Sequence, residues 1–319
     1  MPDSKTKNTK INKTENDGKT SQAFINFRES AMAIFFMICA CTSIMFILLI
    51  CLFLFANGLP AIFEVGFANF LLGTQWSPVR TYPATPLFGI LPMIAGSILF
   101  MLGAIAIGVP VGIFTAVFFS CMCPKNIYSL MKPVVNLLAG IPSVVYGFFG
   151  MVIIIPFVRP IAMRFTDHLP GAATGGSIMA VSLLLGIMIL PTIIAISEAA
   201  IRAVPANYYE GALALGASHT RSVFFVVVPA AKSGILAAVI LGVGRAVGET
   251  MAVVMIAGNQ ARMPIHILRG ARSLTANIVI EMGYASGLHR ETLIASAVML
   301  FIFILLINVT FTLVTRKGR

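Results

Sequence analysis

Six stretches of this chain stay apolar for longer than a soluble helix requires, and nothing else in the sequence limits the fold as tightly. A helix crosses a bilayer in about 20 apolar residues. Runs of that length are predicted near residues 31–56, 87–119, 133–158, 177–200, 233–257 and 293–315. Pro110 should bend the second run, which is longer than a crossing needs. Over 319 residues the chain is 58% hydrophobic and 10% charged, where a soluble domain carries about a quarter charged residues. The fold class is therefore an all-α polytopic membrane protein with six transmembrane helices. A formal charge of +11 would point to nucleic acid in a soluble protein. Here the placement of the charge matters more than its sum, and no nucleic-acid partner is expected.

Residues 1–30 are rich in Lys, Thr, Asn and Asp, a composition that predicts a disordered tail. Because about thirty polar residues precede the first apolar run, that run is expected to be a retained span and not a cleaved signal peptide. Lys and Arg gather on the cytoplasmic side of membrane proteins. With the N-terminus inside, the inner segments hold Lys5, Lys7, Lys10, Lys13, Lys19, Arg28, Lys125, Lys132, Arg202, Arg221, Lys232, Arg316, Lys317 and Arg319. The outer segments hold half as many: Arg80, Arg159, Arg164, Arg262, Arg269, Arg272 and Arg290. Both termini are thus expected in the cytoplasm. The chain divides into a tail (1–30), a first span with an outer segment (31–86), a core of five spans (87–315) and a short C-terminal tail (316–319). The only tryptophan lies in the outer segment, in NFLLGTQWSPV. That stretch reads either as an interfacial segment or as an amphipathic loop held by Trp76.

Cys39, Cys41 and Cys51 share one apolar run, and Cys121 and Cys123 follow another. His168, His219, His266 and His289 stand apart from one another. None of these spacings is that of a metal site, and no nucleophile cluster marks the spans. Neither a bound metal nor catalysis is expected of this chain.

The inner loop 201–232 reads IRAVPANYYEGALALGASHTRSVFFVVVPAAK. Pro205 and Asn207 signal a helix start, EGALAL is a small-residue helical run, and Gly216 ends it. A second helical segment is expected from Ser218, with Pro229 closing it. Two short helices joined at a glycine make a knob whose small residues suit the groove of another protein. Glu210-Gly211-Ala212, then Gly216, then nine residues, then Val226-x-Val228-Pro229 resembles the EAA loop of ABC-importer permeases. Gly211 stands where that pattern has its first Ala, and valines stand for Ile and Leu.

The likeness extends to FLLGTQWSP, AGIPSVVYGFFG, MILPTIIAISEAAIRAVP, GRAVGETMAV and LTANIVIEMGYASGLHRETL. From about residue 70 onward the chain resembles the phosphate permeases of the PstC type. The resemblance implies a type I importer (MetI-like) fold in a bacterial inner membrane, with the coupling loop docked in a cytoplasmic ATPase. Its implied partners are a paralogous permease of the PstA type, an ATPase dimer of the PstB type and an extracytoplasmic phosphate-binding protein of the PstS type. No G-x-x-x-x-G-K-[ST] occurs in this chain, so ATP and Mg²⁺ belong to the separate ATPase, and this chain is expected to bind no cofactor.

Arg245 falls at the middle of the fifth run, and Glu249 lies one helical turn on, toward the outside and on the same face. An Arg at a helix centre costs about 2.5–3.5 kcal/mol on insertion scales, so it should face a partner or a wet cavity. In one reading the two charges neutralise each other and pin neighbouring helices. In the other, Arg245 offers a planar fork of donors to an oxyanion in transit. Glu249 then accepts a hydrogen bond from a protonated phosphate oxygen, which sulfate lacks. Gly242, Gly244 and Gly248 would let neighbours approach the pair. Ser143 and Tyr146, beside the Gly140-Ile141-Pro142 interruption of the third run, and Thr192, after Pro191, are further candidates for the path. Glu198 and Arg202 look like a structural i,i+4 pair beside the loop.

Phosphate transport leads. A permease for sulfate or molybdate would use Arg245 equally well. An ion-coupled secondary transporter would predict inverted repeats, which the sequence does not display, and it leaves the loop unexplained.

Overall fold

Backbone amides in lipid have no water to bond, so a spanning chain must satisfy them internally. The chain does this with helices. The computed structural model describes residues 4–79, 86–165 and 175–317; Arg80, His168 and Arg319 lie outside them. Residues 1–56 and 57–319 form two units. Helix α1 runs Ser4–Val65, starting inside the segment 1–30 whose composition predicts disorder. A helix nucleated by an apolar run extends at one hydrogen bond per residue fixed, and the ladder here continues back through the polar residues. Between Met32 and Phe53 its large apolar side chains are exposed.

In the second unit, α2 (Phe67–Leu72) leads to a two-stranded ribbon. Strand β1 (Trp76–Ser77) pairs antiparallel with β2 (Leu87–Phe88), Trp76 opposite Phe88. Trp76 is buried against Phe88 and so holds this loop together. The second run becomes α3, Leu91–Val117, unbroken through Pro110 and extended by a π turn at Phe118–Met122. The third run is two helices. α4 (Lys125–Gly140) ends at extended Ile141, and a span begins with α5 (Ser143–Phe149), continuing through a π turn at Gly150–Ile154 into α6 (Ile155–Phe165). The expected span 133–158 is thus shifted to 143–165, because Pro142 disfavours helix at Ile141.

Helix α7 (Ile178–Arg202) is the centre of the unit. Two-thirds of its most apolar window is buried, 67% against 22–28% for the other long helices of this unit. Leu184, Leu185, Met188, Ile189 and Ile193 pack there with Phe100 of α3 and Ile256. A helix apolar on every side belongs inside. It lies close to α3 because that helix turns glycines toward it. A Cβ on Gly108 would stand 2.8 Å from the Gly186 carbonyl oxygen, and one on Gly112 2.7 Å from Ile193.

Beyond α7, helices α8 (Ala206–Ala214) and α9 (His219–Ser222) form a hairpin. A π turn at Val223–Val227 then leads into α10, Val228–Ala230. The helix passes through Pro229, which was expected to close it, and turns by 69° before α11, Lys232–Gly248. The fifth run, expected to be one helix over 233–257, breaks after Gly248 and resumes as α12, Met251–Ile256. Helices α13 (Leu274–Glu281) and α14 (Gly287–Lys317) complete the chain as described. The first two residues of the tail read from 316, Arg316 and Lys317, belong to α14. Among the described residues, five helices are long and apolar enough to cross a membrane, six if the bent pair counts as one span.

The α3–α7 contact tests this account. A Cβ on Gly103 would stand 2.0 Å from Ser182 Oγ and 2.5 Å from its Cβ. Gly103→Ala should therefore destabilise the protein by about 1–3 kcal/mol, read as a lowered thermal midpoint in detergent. Ser182→Gly, destabilising alone, should cost less in the Gly103→Ala background.

Candidate functional site

Arg245 lies on α11 in the turn before the break, half-buried. Its Nη1 donates to Thr192 Oγ1 on α7 at 3.3 Å, which brings together two of the residues singled out in the sequence. Tyr146 of α5 is buried, donates its hydroxyl to the Leu138 carbonyl at 2.8 Å, and lies within electrostatic reach of the guanidinium. Ser143 opens the same helix, half-buried, three residues before Tyr146. Among the described residues, the direct contact to the cation is thus the one from α7.

Glu249 does not join Arg245 in an ion pair; among the described residues, none involves Arg245. The continuous helix that would stack the two charges ends at Gly248, and Glu249 has an extended backbone, φ −70° and ψ 130°. Its Oε1 instead accepts the amides of Thr250 at 3.1 Å and Ala252 at 3.2 Å. Those are orphan donors at the start of α12, and the carboxylate serves as their cap. Thr250 Oγ1 donates to the Gly248 carbonyl, and Thr275 Oγ1 to the Glu249 carbonyl at 3.2 Å. The break is therefore satisfied on both sides, the condition for irregular backbone at membrane depth. Oε2 of Glu249 makes no hydrogen bond among the described residues. Gly242 packs on Ile193, as a close-approach glycine should, whereas Gly244 and Gly248 face open space.

The hairpin carries the EAA-like residues. Helix α8 ends where Gly216, at φ +85°, turns the chain; its amide bonds the Leu213 carbonyl and that of Ala217 the Ala212 carbonyl. Ser218 then caps α9. Glu210, Gly211, Gly216 and Pro229 are exposed and Ala212 half-buried. A Cβ on Gly211 would meet nothing within 4 Å, and Leu215 at the tip is 91% exposed. Tyr209 and His219 brace the hairpin through a 2.6 Å bond between the hydroxyl and Nδ1.

Two buried carboxylates flank this machinery. Glu198, at the Met122 end of α3, pairs with Arg202 at 3.0 Å as the spacing suggested. It also binds Lys132 Nζ at 2.5 Å and the Tyr128 hydroxyl at 2.7 Å, both from α4. Arg202 lies over the Tyr128 ring and donates to the Phe119 carbonyl. The bond to Glu198, with burial adding, holds the Tyr128 phenol above its ordinary value. Its contribution is complete below the ordinary value of about 10 and is lost as pH rises through the raised one. At the Leu91 end, Glu281 accepts from Arg272 Nη1 at 2.6 Å and Trp76 Nε1 at 2.8 Å, with His289 Nε2 at 2.9 Å. The sequence reading missed this second cluster. Its signal was present, since Glu281 is a carboxylate inside LTANIVIEMGY with Arg and His nearby in the chain. Among the described residues, no three His, Cys, Asp or Glu side chains gather as a metal would require.

Long apolar helices, one broken span with a half-buried cation beside the break, and an exposed hairpin between spans are the parts of a membrane permease. The family described as "Binding-protein-dependent transport system inner membrane component" matches residues 108–318. The chain is 36% identical over 278 residues to the "Probable ABC transporter permease protein YqgH" of Bacillus subtilis, covering 85% of this chain and 86% of that one. It is 34% identical over 266 residues to the "Phosphate transport system permease protein PstC" of Mesorhizobium japonicum, covering 80% of each. In fold it is similar to a chain of the MetNI methionine ABC transporter in an inward-facing conformation, with a TM-score of 0.53 at 23% identity, covering 72% of this chain and 94% of that one. The chain belongs to the binding-protein-dependent inner-membrane permease family and is a multi-pass permease subunit of the type I ABC-importer kind.

The Glu198 cluster yields a stability test. Lys132→Met removes one of two cations from a buried carboxylate and should cost about 1–3 kcal/mol. Adding Glu198→Gln should recover part of that loss, so thermal unfolding of the four variants in a double-mutant cycle should give a clear coupling.

Proposed function

We propose that this chain forms the translocation path of an ATP-driven importer of inorganic phosphate. The observation that carries the reading is Arg245. It is a half-buried guanidinium with one hydroxyl partner, no carboxylate in ion-pair range among the described residues, and glycines open to space on either side along its helix. A cation kept in a span without a counter-ion suits an anion that arrives and leaves. The PstC relatives named as phosphate permeases support phosphate as that anion. Glu249 fits the same role in a way the sequence reading did not include. One oxygen is committed to capping α12, which leaves Oε2 to accept a proton-bearing phosphate oxygen. A paralogous permease of the PstA type would complete the path, and a PstS-type binding protein would deliver the anion from outside. A PstB-type ATPase dimer would receive the hairpin at Glu210, Gly211, Ala212 and Gly216. The excess of Lys and Arg on the hairpin's side of the sequence supports a cytoplasmic location for that side and for both termini.

The test is uptake of labelled phosphate by vesicles holding this chain with its partners, sulfate serving as competitor. ATP should drive phosphate uptake. Arg245→Gln should abolish it while leaving assembly and ATPase binding intact; normal uptake by that variant would remove Arg245 from the path. Glu249→Gln keeps a capping oxygen but should weaken discrimination against sulfate, and unchanged selectivity would end the role given to Oε2.

A further inference from the structure

The cluster around Glu281 reaches farther than its own neighbourhood. Its carboxylate joins three segments: Trp76 from the β-ribbon, Arg272 from the loop before α13, and His289 from the first turn of α14. Glu281 is also the last residue of α13, so whatever holds it holds that helix. At the other end of α13, the Leu274 amide donates to Ser97 Oγ of α3 at 3.0 Å, and Ser273 caps the helix. The helix is fastened at both ends.

From α13 and the loop before it, two bonds run to α12. Thr275 Oγ1 donates to the Glu249 carbonyl immediately before α12, and Arg272 Nε donates to the Asn259 carbonyl just after it, at 3.1 Å. Asn259 has a left-handed backbone at φ 48°, a turn conformation that Asn tolerates better than most non-glycine residues. The short helix that follows the break is thereby gripped at both ends by a segment whose position is set at Glu281.

We propose that Glu281 is a positioning residue of the path: with Trp76, Arg272 and His289 it clamps α13, so that Thr275 and Arg272 hold both ends of α12 and fix the break at Glu249. A displacement of the Trp76 ribbon is thereby delivered to the break beside Arg245. The meaning for anion passage rests on the transport reading above, but the clamp itself does not, and the experiment reads the clamp.

The experiment is site-resolved hydrogen exchange of the purified complex, comparing amides of 251–257 with those of 184–194 in the centre of α7. Trp76→Phe keeps an aromatic ring and removes only the N–H donor; Thr275→Val keeps the shape and removes only the hydroxyl. Each should speed exchange in 251–257 about fivefold, the change that one hydrogen bond makes to an opening equilibrium, with 184–194 unchanged. Thr275→Ser, which retains the hydroxyl, should restore the wild-type rate. Unchanged exchange in 251–257 for both variants overturns the proposal. Equal acceleration in both regions also overturns it, since Trp76 and Thr275 would then support only the fold as a whole. ATP-driven phosphate uptake by the same variants is measured in parallel. Loss of phosphate transport by the unaltered chain would defeat the transport reading and leave the exchange result standing.

Discussion

An amide stripped of water must find an acceptor, and at Thr250 and Ala252 the acceptor is the carboxylate of Glu249. Much of the arrangement at the candidate site depends on that pair of bonds. Without them the helix could not stop at Gly248 in a lipid setting, because the first amides of α12 would be orphaned. With them, the chain takes an extended step in the middle of a span. Glu249 caps α12 and does not pair with Arg245, and among the described residues the guanidinium's hydrogen-bond partner is Thr192.

The same economy appears at the two ends of α3. Glu198 and Glu281 are each nearly inaccessible, and each binds several donors from segments far apart in the chain. A buried carboxylate without such partners would be strongly destabilising, and with them it is weak evidence for stability but strong evidence for placement. Glu198 fixes α4 against the last turn of α7, directly before the hairpin. Glu281 fixes α13 against the ribbon, directly beside the break. Between them, α3 and α7 pack through glycines into a close contact at the centre of the bundle.

Most of the spans were legible in the sequence because hydropathy over about 20 residues is a local property. The hairpin was legible as well: Gly216 ends α8 as expected, since a left-handed turn favours a residue without a Cβ. The third and fifth runs were misjudged for one reason. Continuous apolar composition does not reveal where a helix stops when the stop is capped by a side chain or forced by a proline inside the run. Gly140-Ile141-Pro142 was recognised as an interruption, yet the helix before it was still counted into the span. GVGRAVGETMAV gave no sign that its glutamate would cap its own successor. Trp76 was legible as the one large aromatic of its loop, but its partners, Phe88 and Glu281, were not.

What the sequence determined alone is the class of molecule and its chemistry: apolar runs that must be helices in lipid, a hairpin with a defined turn, and one arginine where lipid forbids a lone charge. What the tertiary structure decided is which groups meet. Trp76 and Glu281 are 205 residues apart, Arg245 and Thr192 53 apart, and Lys132 and Glu198 66 apart. No local pattern encodes such pairs, because a hydrogen-bond donor is equally suited to any acceptor until packing brings one within about 3 Å. Glu249 shows the division most sharply. Its type and position were plain in the sequence, and its partner was settled only when the helix around it broke.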